Sequence, residues 1–370
     1  MRVEISRIPM NAPDDLSGLE RLVSNGAIDP REIVAIIGKT EGNGELNDFS
    51  RGLANVALRT FLGEVLGTSK EAVAQKIPMI QSGGCEGVMT PHINVFVRRA
   101  DSSRSRPEKR LAIGVGFTRD LLPEEIGTMT QVREVARVVG EAMRAAEIEG
   151  SGDVHFVQMK TPLITPENVA DAAKRGRTIP HHIAKESMAY SNAAAALGVA
   201  AALGEVAWDA LSDEVILQRL DLFSSVAAPS SGSELRNCHI VLLGNSPYAS
   251  SDGIIGHAVM RDPLDSAAVR DALRSAGLRF EHLPSEQDLE RVQLAIAKAG
   301  IHPRGIVRGR RTTLISEPDL QGRVIRAVFN AVIGAVVGDP LVCVSGAPTV
   351  GTHSGPAGGG IVAFVVRATE

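Results

Sequence analysis

Three stretches of the chain end in the same way: IVAIIGK (residues 33–39), VHFVQMK (154–160) and VQLAIAK (292–298). Each is a short apolar run, typical of a buried strand, that stops at a lysine. Lysine is rarely buried, because removing its charge from water is costly. The recurrence of this placement predicts a chain built from three divergent repeats.

The sequence on either side of these lysines follows one plan. An amphipathic helix precedes each strand, and an alanine-rich helix follows it in SRGLANVALRTFLGE (50–64), YSNAAAALGVAAALGE (190–205) and IRAVFNAVIGAVVGD (325–339). A serine motif and a last strand complete each unit, the serines being Ser82, Ser230 and Ser345. The pattern predicts an α/β fold of three structurally similar repeats, arranged with pseudo-three-fold symmetry around a central active site.

Polar stretches separate the three units. SSRSRPEKR and SPYASSDG have the composition of linkers, which places boundaries near residues 105 and 252. We therefore divide the chain into repeat units at residues 1–105, 106–252 and 253–370. Because small side chains permit close packing, we expect the alanine-rich helices of all three units to face a shared interior.

The composition limits the kind of partner. The 39 basic and 43 acidic side chains nearly balance, so we expect no nucleic-acid-binding surface. The first residues, MRVEISRIPM, lack the apolar core of a signal peptide, and no stretch approaches the roughly 20 apolar residues of a membrane span. We expect a cytoplasmic protein that binds a small polar molecule and no membrane.

Three lysines and three serines would meet if the repeats surround a common axis. A serine becomes nucleophilic when a neighbouring base takes its proton, and lysine is such a base only when its pKa falls. Burial and neighbouring ammonium groups both lower that pKa. The repeats alone allow any of three pairs to react: Lys39 with Ser82, Lys160 with Ser230, or Lys298 with Ser345.

Two arginines occupy the same place in their helices when the first and third alanine-rich helices are aligned on their Gly-acid ends. They are Arg51 and Arg326. The planar guanidinium can donate two hydrogen bonds to a carbonyl oxygen or to an imide anion. We expect both arginines to bind the ligand, the alternative being a structural ion pair.

Four stretches, GKTEGNGELNDFSRG, SGGCEGVMTPH, RGRRTT and VSGAP, closely resemble the signature motifs of cyanuric acid hydrolases and barbiturases, the ring-opening cyclic amide hydrolases. The resemblance covers essentially the whole chain. It implies three repeats in one subunit, a homotetramer, and hydrolysis of one C–N bond in a cyclic ureide without a redox cofactor. It also implies that the second repeat supplies the nucleophile and the base, which are Ser230 and Lys160 here.

By the same resemblance, the other two repeats bind the remaining ring carbonyls. The substrate contacts implied are then Lys39, Arg51, Ser82, Gly83, Ser231, Lys298, Arg326, Ser345 and Gly346. The second repeat departs from the family, because Asn192 stands where an arginine is usual. The family implies a cyanuric acid-like or barbiturate-like ring, but a neutral amide replaces a bidentate cation at Asn192, which argues against cyanuric acid itself and favours a barbiturate-like or another cyclic imide or amide as the substrate.

A second departure concerns a metal. Family members bind a structural cation through an acidic side chain two residues past the third lysine, and through backbone groups of the C-terminal glycine-rich loop. That position is Gly300 here, and Ser354 stands in the loop where a glutamine is typical. A hard cation without its carboxylate loses its main charge partner, so we expect no tightly held metal and no cofactor.

Two alternatives stay open at this point. A chain that has kept the repeats but lost catalysis would bind cyclic imides without opening them. A metal-dependent cyclic amidase would need clustered ligands, and the sequence has no HxH pair. Labelling by a serine-reactive cyclic carbamate and insensitivity to chelators would distinguish the serine enzyme from both.

Overall fold

The computed structural model describes residues 1–100, 108–317, 319–346 and 351–369. These residues form three four-stranded sheets and one two-stranded sheet, with helices between the strands. The expected boundary near residue 105 lies outside the described residues. No helix within them is long and apolar enough to cross a membrane.

The first sheet has the strand order β1, β4, β2, β3. β4 runs antiparallel to β1 and β2, and β2 runs parallel to β3. Its strands are β1 Arg2–Pro9, β2 Ile33–Thr40, β3 Met79–Gly83 and β4 His92–Arg99. Its helices are α1 Ser17–Ser24, α2 Ser50–Leu66 and α3 Lys70–Lys76.

The second sheet repeats this arrangement in the order β5, β8, β6, β7, with the same parallel and antiparallel neighbours. Its strands are β5 Arg110–Phe117, β6 Val154–Pro162, β7 Ala227–Gly232 and β8 His239–Ser246. Its helices are α4 Met129–Ala145, α5 Pro166–Lys174 and α6 Ala184–Leu203.

The third sheet has the order β9, β14, β10, β13, again with the same directions. Its strands are β9 Gly253–Met260, β10 Val292–Ala299, β13 Cys343–Gly346 and β14 Gly360–Arg367, and β11 Ile306–Val307 pairs with β12 Arg310–Arg311. Its helices are α7 Ser266–Ser275, α8 Glu286–Leu289 and α9 Gln321–Val337. The proposed division near residue 252 falls between β8 and β9; the three-unit division itself stays a prediction.

One apolar core joins the three sheets. It contains alternate residues of the strands, among them Ile37, Phe156 and Ile296. Successive side chains of a strand point to opposite faces, so Lys39 and Lys298, each two residues further along, lie on the same inward face. The three sheets therefore bring their lysine-bearing ends towards one another.

The alanine-rich helices α2, α6 and α9 do not share this interior, so that expectation was wrong. Leu58 of α2, Val199 of α6 and Phe329 of α9 belong to three separate apolar clusters. The physical reason is that strand side chains already fill the centre, which leaves each helix to cover the other face of its own sheet. Only the N-terminal parts of these helices reach the central pocket.

Candidate active site

Each of the three lysines lies beside a serine on a parallel neighbouring strand. The strand register pairs Lys39 with Ser82, Lys160 with Ser230, and Lys298 with Ser345. Paired residues of neighbouring strands point to the same face of a sheet. The three predicted pairs are therefore adjacent in space and equivalent in the three sheets.

The three serines and Lys160 meet at one pocket, to which all three sheets contribute. It is lined by Gly44, Glu45, Arg51, Ser82, Gly83, Lys160, Met188, Asn192, Ser230, Ser231, Arg326, Ser345 and Gly346. Of the residues singled out from the sequence, Lys39 and Lys298 do not line it and are fully buried. The structure thus brings the other candidate residues to one cavity.

Lys39 and Lys298 are held by hydrogen bonds to backbone carbonyls. The Lys39 amine donates to Gly83 O at 3.0 Å. The Lys298 amine donates to Pro229 O at 2.5 Å, to Gly346 O at 3.2 Å and to the Ser345 hydroxyl at 3.4 Å. Such acceptors stabilise the protonated form of an amine.

Lys160 differs from the other two. Its Nζ is buried and has no hydrogen-bond partner among the residues that the structure describes. Burial and, after it, the positive charge of Arg51 lower the pKa of Lys160 to about 7. A substantial part of this amine is therefore neutral near pH 7 and free to accept a proton.

The pKa values alone do not single out one lysine. Burial, followed by the charge of Lys160, lowers the pKa of Lys298 to about 7. Burial, followed by the charge of Arg326, lowers the pKa of Lys39 to about 8. The absence of a hydrogen-bond partner among the described residues, rather than burial, distinguishes Lys160 as a base.

The three serines also differ in access. Ser230 is partly exposed, and its hydroxyl donates to Met159 O at 3.3 Å. Ser82 and Ser345 are 8% and 3% exposed, and the Ser82 hydroxyl donates to that of Ser345 at 3.4 Å. The serine beside the unpartnered lysine is therefore the one that a ligand reaches most easily.

The two arginines have different partners. Arg326 donates from Nε and Nη2 to the carboxylate of Glu86, at 2.8 and 2.6 Å, which forms the structural ion pair considered as the alternative. Arg51 donates from Nη2 to Glu45 O at 3.1 Å, and its Nε has no partner within the described part of the chain. Both line the pocket, but Arg51 has more donor capacity left for a ligand.

Asn192 is only 1% exposed, and only the oxygen of its side-chain amide is hydrogen-bonded. Its Oδ1 accepts a hydrogen bond from the Ser231 hydroxyl at 2.8 Å, and Ser231 lies 2.7 Å from the Thr161 hydroxyl. The Nδ2 of Asn192 has no partner in the described ranges. This arrangement leaves a neutral N–H donor at the pocket wall.

Sequence reasoning missed two pairs of residues that recur near the pocket. An acid follows Ser82 and Ser230 by four positions, as Glu86 in SGGCEG and Glu234 in SSGSEL. A histidine opposes two of the lysines: the register pairs His92 with Lys39 and His239 with Lys160. Both signals are present in the sequence, since the two acids have the same spacing from their serines and each histidine begins the strand that pairs with its lysine strand.

Gly300 occupies the place where a family cation would have its carboxylate. Its N–H donates to Gly359 O at 2.8 Å, and a Cβ built on Gly300 would lie 2.6 Å from that oxygen. Across residues 1–100, 108–317, 319–346 and 351–369, no three His, Cys, Asp or Glu side chains form a metal-binding group. Gly300 thus supplies no carboxylate and leaves no room for a side chain, and the absence of a tightly held cation stays a prediction.

Comparison with known proteins agrees with this geometry. The family model described as "Amidohydrolase ring-opening protein" matches residues 4–367. A cyanuric acid amidohydrolase of Enterobacter cloacae is 48% identical, over 99% of this chain and 100% of the relative. Barbiturase 1 of Nocardioides sp. is 38% identical, over 98% of each chain.

Solved structures give the same result. A cyanuric acid hydrolase, described as an "evolutionary innovation by structural concatenation", has a TM-score of 0.93 and 43% identity, and the alignment covers 99% of each chain. The cyanuric acid hydrolase of A. caulinodans has a TM-score of 0.89 and 42% identity, over 100% of this chain and 99% of the other. The present chain belongs to the family of ring-opening amidohydrolases.

Proposed function

We propose that this chain hydrolyses one C–N bond in the ring of a cyclic amide or imide, with Ser230 as the nucleophile and Lys160 as the base. One observation carries the proposal: the lysine with no hydrogen-bond partner among the described residues lies beside the most accessible serine of the pocket. The names of the relatives, which refer to cyanuric acid, cyclic amides and barbiturate hydrolysis, support the substrate class.

The first half of the reaction opens the ring. Lys160 takes the proton of the Ser230 hydroxyl, and the oxygen attacks a ring carbonyl carbon. The tetrahedral intermediate then collapses, the ring C–N bond breaks, and the leaving nitrogen takes the proton from Lys160. The product of this half-reaction is a linear acyl group on Ser230.

The second half of the reaction releases the acyl group. Lys160 takes a proton from water, and the resulting hydroxide attacks the ester carbon. When the ester bond breaks, the Ser230 oxygen recovers the proton from Lys160. The carboxyl product leaves, and no oxidant or reductant is consumed.

The remaining groups of the pocket bind the ring in this proposal. Ser82, Gly83, Ser345 and Gly346 face the ring carbonyls from two repeats, with the ammonium groups of Lys39 and Lys298 behind them. Hydrogen-bond donors aimed at a carbonyl that becomes negative contribute roughly 10²–10³ in rate each. Arg51, Arg326, Asn192 and Ser231 complete the binding set.

The proposal is tested with purified protein and a panel of cyanuric acid, barbituric acid, hydantoin and related imides. Ser230→Ala should abolish turnover but keep ligand binding, because only the nucleophile is lost. Ser82→Ala and Ser345→Ala should weaken turnover and binding together, by about 0.5–3 kcal/mol for one hydrogen bond. Turnover is followed by loss of the ring absorbance, and binding by calorimetry.

A serine-reactive cyclic carbamate provides an independent readout. Mass spectrometry should locate the label on Ser230 in the parent protein and find none in the Ser230→Ala variant. Near-normal turnover by Ser230→Ala would move the nucleophile to another repeat and remove the role of Lys160. A parent protein that binds a ring but neither turns it over nor takes the label would instead be a binding protein.

Three further expectations accompany this proposal. The resemblance implies a homotetramer, and the position of Gly300 argues against a tightly held metal. The composition argues for a cytoplasmic protein. All three stay predictions.

A further inference from the structure

Four side chains form a row across the inward face of the second sheet. The register places Ser230 beside Lys160, Lys160 beside His239, and His239 beside Phe117. The Cβ atoms of directly opposed residues in an antiparallel pair are about 4.5–5.5 Å apart. His239 therefore lies against Lys160 on the side away from Ser230.

The His239 ring is fixed in place but has a free nitrogen. The side chain is 5% exposed, and its ring packs edge-on against Phe117 with centroids 4.8 Å apart and planes at 80°. Its Nδ1 is buried and has no protein partner among the described residues. Lys160 Nζ, on the neighbouring strand, is likewise buried and has no partner among the described residues.

His239 also lines a second opening of the molecule. We call this opening the rear cleft; it is lined by, among others, Arg59, Gln75, Phe117, Glu234, Asn237 and His239. It shares no lining residue with the catalytic pocket. Lys160 thus lies between the catalytic pocket in front and the rear cleft behind His239.

A proton route on this side has a chemical purpose. A ring that fills the catalytic pocket separates Lys160 from solvent on the Ser230 side. A protonated Lys160 cannot act as a base, so its extra proton must leave before Ser230 can attack.

We propose that His239 is a positioning and proton-relay residue that connects Lys160 with solvent in the rear cleft; the proposal rests on the function of Lys160 as the base. The Lys160 ammonium gives a proton to His239 Nδ1 through one water molecule between the two nitrogens, which are not in direct hydrogen-bond contact. The proton on Nε2 passes to water in the cleft, and the tautomer resets by exchange with that water. No net charge stays on the ring.

The electrostatic surroundings suit a neutral relay. Burial and, after it, the charge of Arg59 lower the pKa of His239 to about 4, although the charge of Glu234 opposes this shift. A neutral imidazole has one donor and one acceptor nitrogen, which a relay requires. The charges of Arg51 and Lys39 lower the pKa of Lys160, and those of Glu234 and Asp48 raise it. The charge of Lys160 in turn lowers the pKa of Lys298.

The other two lysines lack this arrangement. His92 opposes Lys39, but it is 0% exposed and its Nδ1 lies 2.8 Å from Thr90 O. Ile361 opposes Lys298 and has no polar atom in its side chain. The second repeat therefore combines a histidine, a cleft and an unpartnered lysine.

The inference is tested with His239→Ala and His239→Gln, on a ring that the parent protein opens. Both variants should lose kcat by about 100-fold, with a smaller change in KM, because general acid–base groups contribute at least about this factor. Added imidazole should restore part of the kcat of His239→Ala but not that of His239→Gln, whose side chain fills the space. The solvent deuterium isotope effect on kcat should rise in both.

Two further variants serve as controls. His92→Ala, the match of His239→Ala in the first repeat, should show no response to imidazole, because its site is closed to solvent. Gln75→Trp, at an exposed position of the cleft, should narrow the opening and lower kcat with His239 intact, so the inference stays testable if the His239 variants fail to fold.

The outcomes separate this inference from the proposed function. Unchanged kcat in His239→Gln and Gln75→Trp, or a slow His239→Ala that imidazole does not restore, would overturn the relay. If Ser230→Ala is inactive in the same assays, the proposed function still holds. A parent protein without ring-opening activity would overturn both.

Discussion

Lys39, Lys160 and Lys298 are equivalent by position but not by environment. All three are buried at the end of a strand beside a serine. Carbonyl oxygens accept from the first and third, whereas none of the described residues accepts from Lys160. The lysine at this position of a repeat can thus be a charged group that anchors the ligand or a neutral base. Which of the two it becomes depends on whether backbone carbonyls accept a hydrogen bond from its amine.

The pH dependence of turnover should report this base. The pKa of Lys160 is lowered to about 7, chiefly by burial, so the active neutral form is lost as pH falls. We expect kcat/KM to rise with pH through about 7 and to fall about tenfold per unit well below it. Initial rates between pH 5 and 9 measure the midpoint.

Two substitutions should move this midpoint in opposite directions. The carboxylate of Glu234 raises the pKa of Lys160, so Glu234→Gln should shift the midpoint to lower pH. The charge of Arg51 lowers it, so Arg51→Gln should shift the midpoint to higher pH. Midpoints that stay fixed in both variants would show that another group controls the profile.

At the scale of elements, α2, α6 and α9 each bring one polar side chain to the pocket. Arg51 and Arg326 extend from the first and third, and Asn192 from the second. Because Asn192 Oδ1 accepts from Ser231, its Nδ2 is the group that faces a ligand. Asn192 of α6 therefore suits a neutral carbonyl group at the edge of the ring. The arginines of α2 and α9 can also bind a negatively charged edge.

Replacing Asn192 by arginine should change substrate preference rather than the chemistry. Asn192→Arg should raise kcat/KM for rings ionised at the assay pH relative to neutral rings by about tenfold, or about 1.4 kcal/mol. The competing rings are barbituric acid and a neutral hydantoin, measured with parent and variant protein. An unchanged ratio in a folded variant would remove Asn192 from substrate selection.

For the whole molecule, the repeat pattern predicted the α/β class, the buried strands and the Lys–Ser pairs. It could do so because apolar runs and costly buried lysines are local signals. The position of the alanine-rich helices depends on which face of each sheet the strands themselves fill, and no single repeat contains that information. His239 was missed for the same reason: its neighbour Lys160 is on another strand, 79 residues away by the numbering.

Contacts between the sheets add a feature that no repeat shows alone. His155 of β6 and His257 of β9 lie with their Nδ1 atoms 2.8 Å apart, so one ring donates and the other accepts. Both are partly buried, and a proton on each would place two positive charges at this distance. The pair therefore joins the second and third sheets only while at least one ring is neutral.

This pair should make the fold sensitive to acid. Burial and the neighbouring His257 lower the pKa of His155 to about 4, and burial lowers that of His257. An unfolded chain titrates these groups near the ordinary value of about 6.5, so it binds more protons than the folded chain between pH 6.5 and 4. Stability from the pair is present above pH 6.5 and is lost as pH falls through this window.

The pair should account for about 2–3 kcal/mol of the unfolding free energy lost between pH 7 and pH 4.5, measured by denaturant titration as the difference between the parent and His155→Gln. His155→Gln keeps a hydrogen-bonding side chain but does not titrate, so its stability should fall less between the two pH values. His282→Gln removes an exposed histidine instead and should behave like the parent. If His155→Gln and the parent lose the same free energy, the acid sensitivity of the fold originates elsewhere.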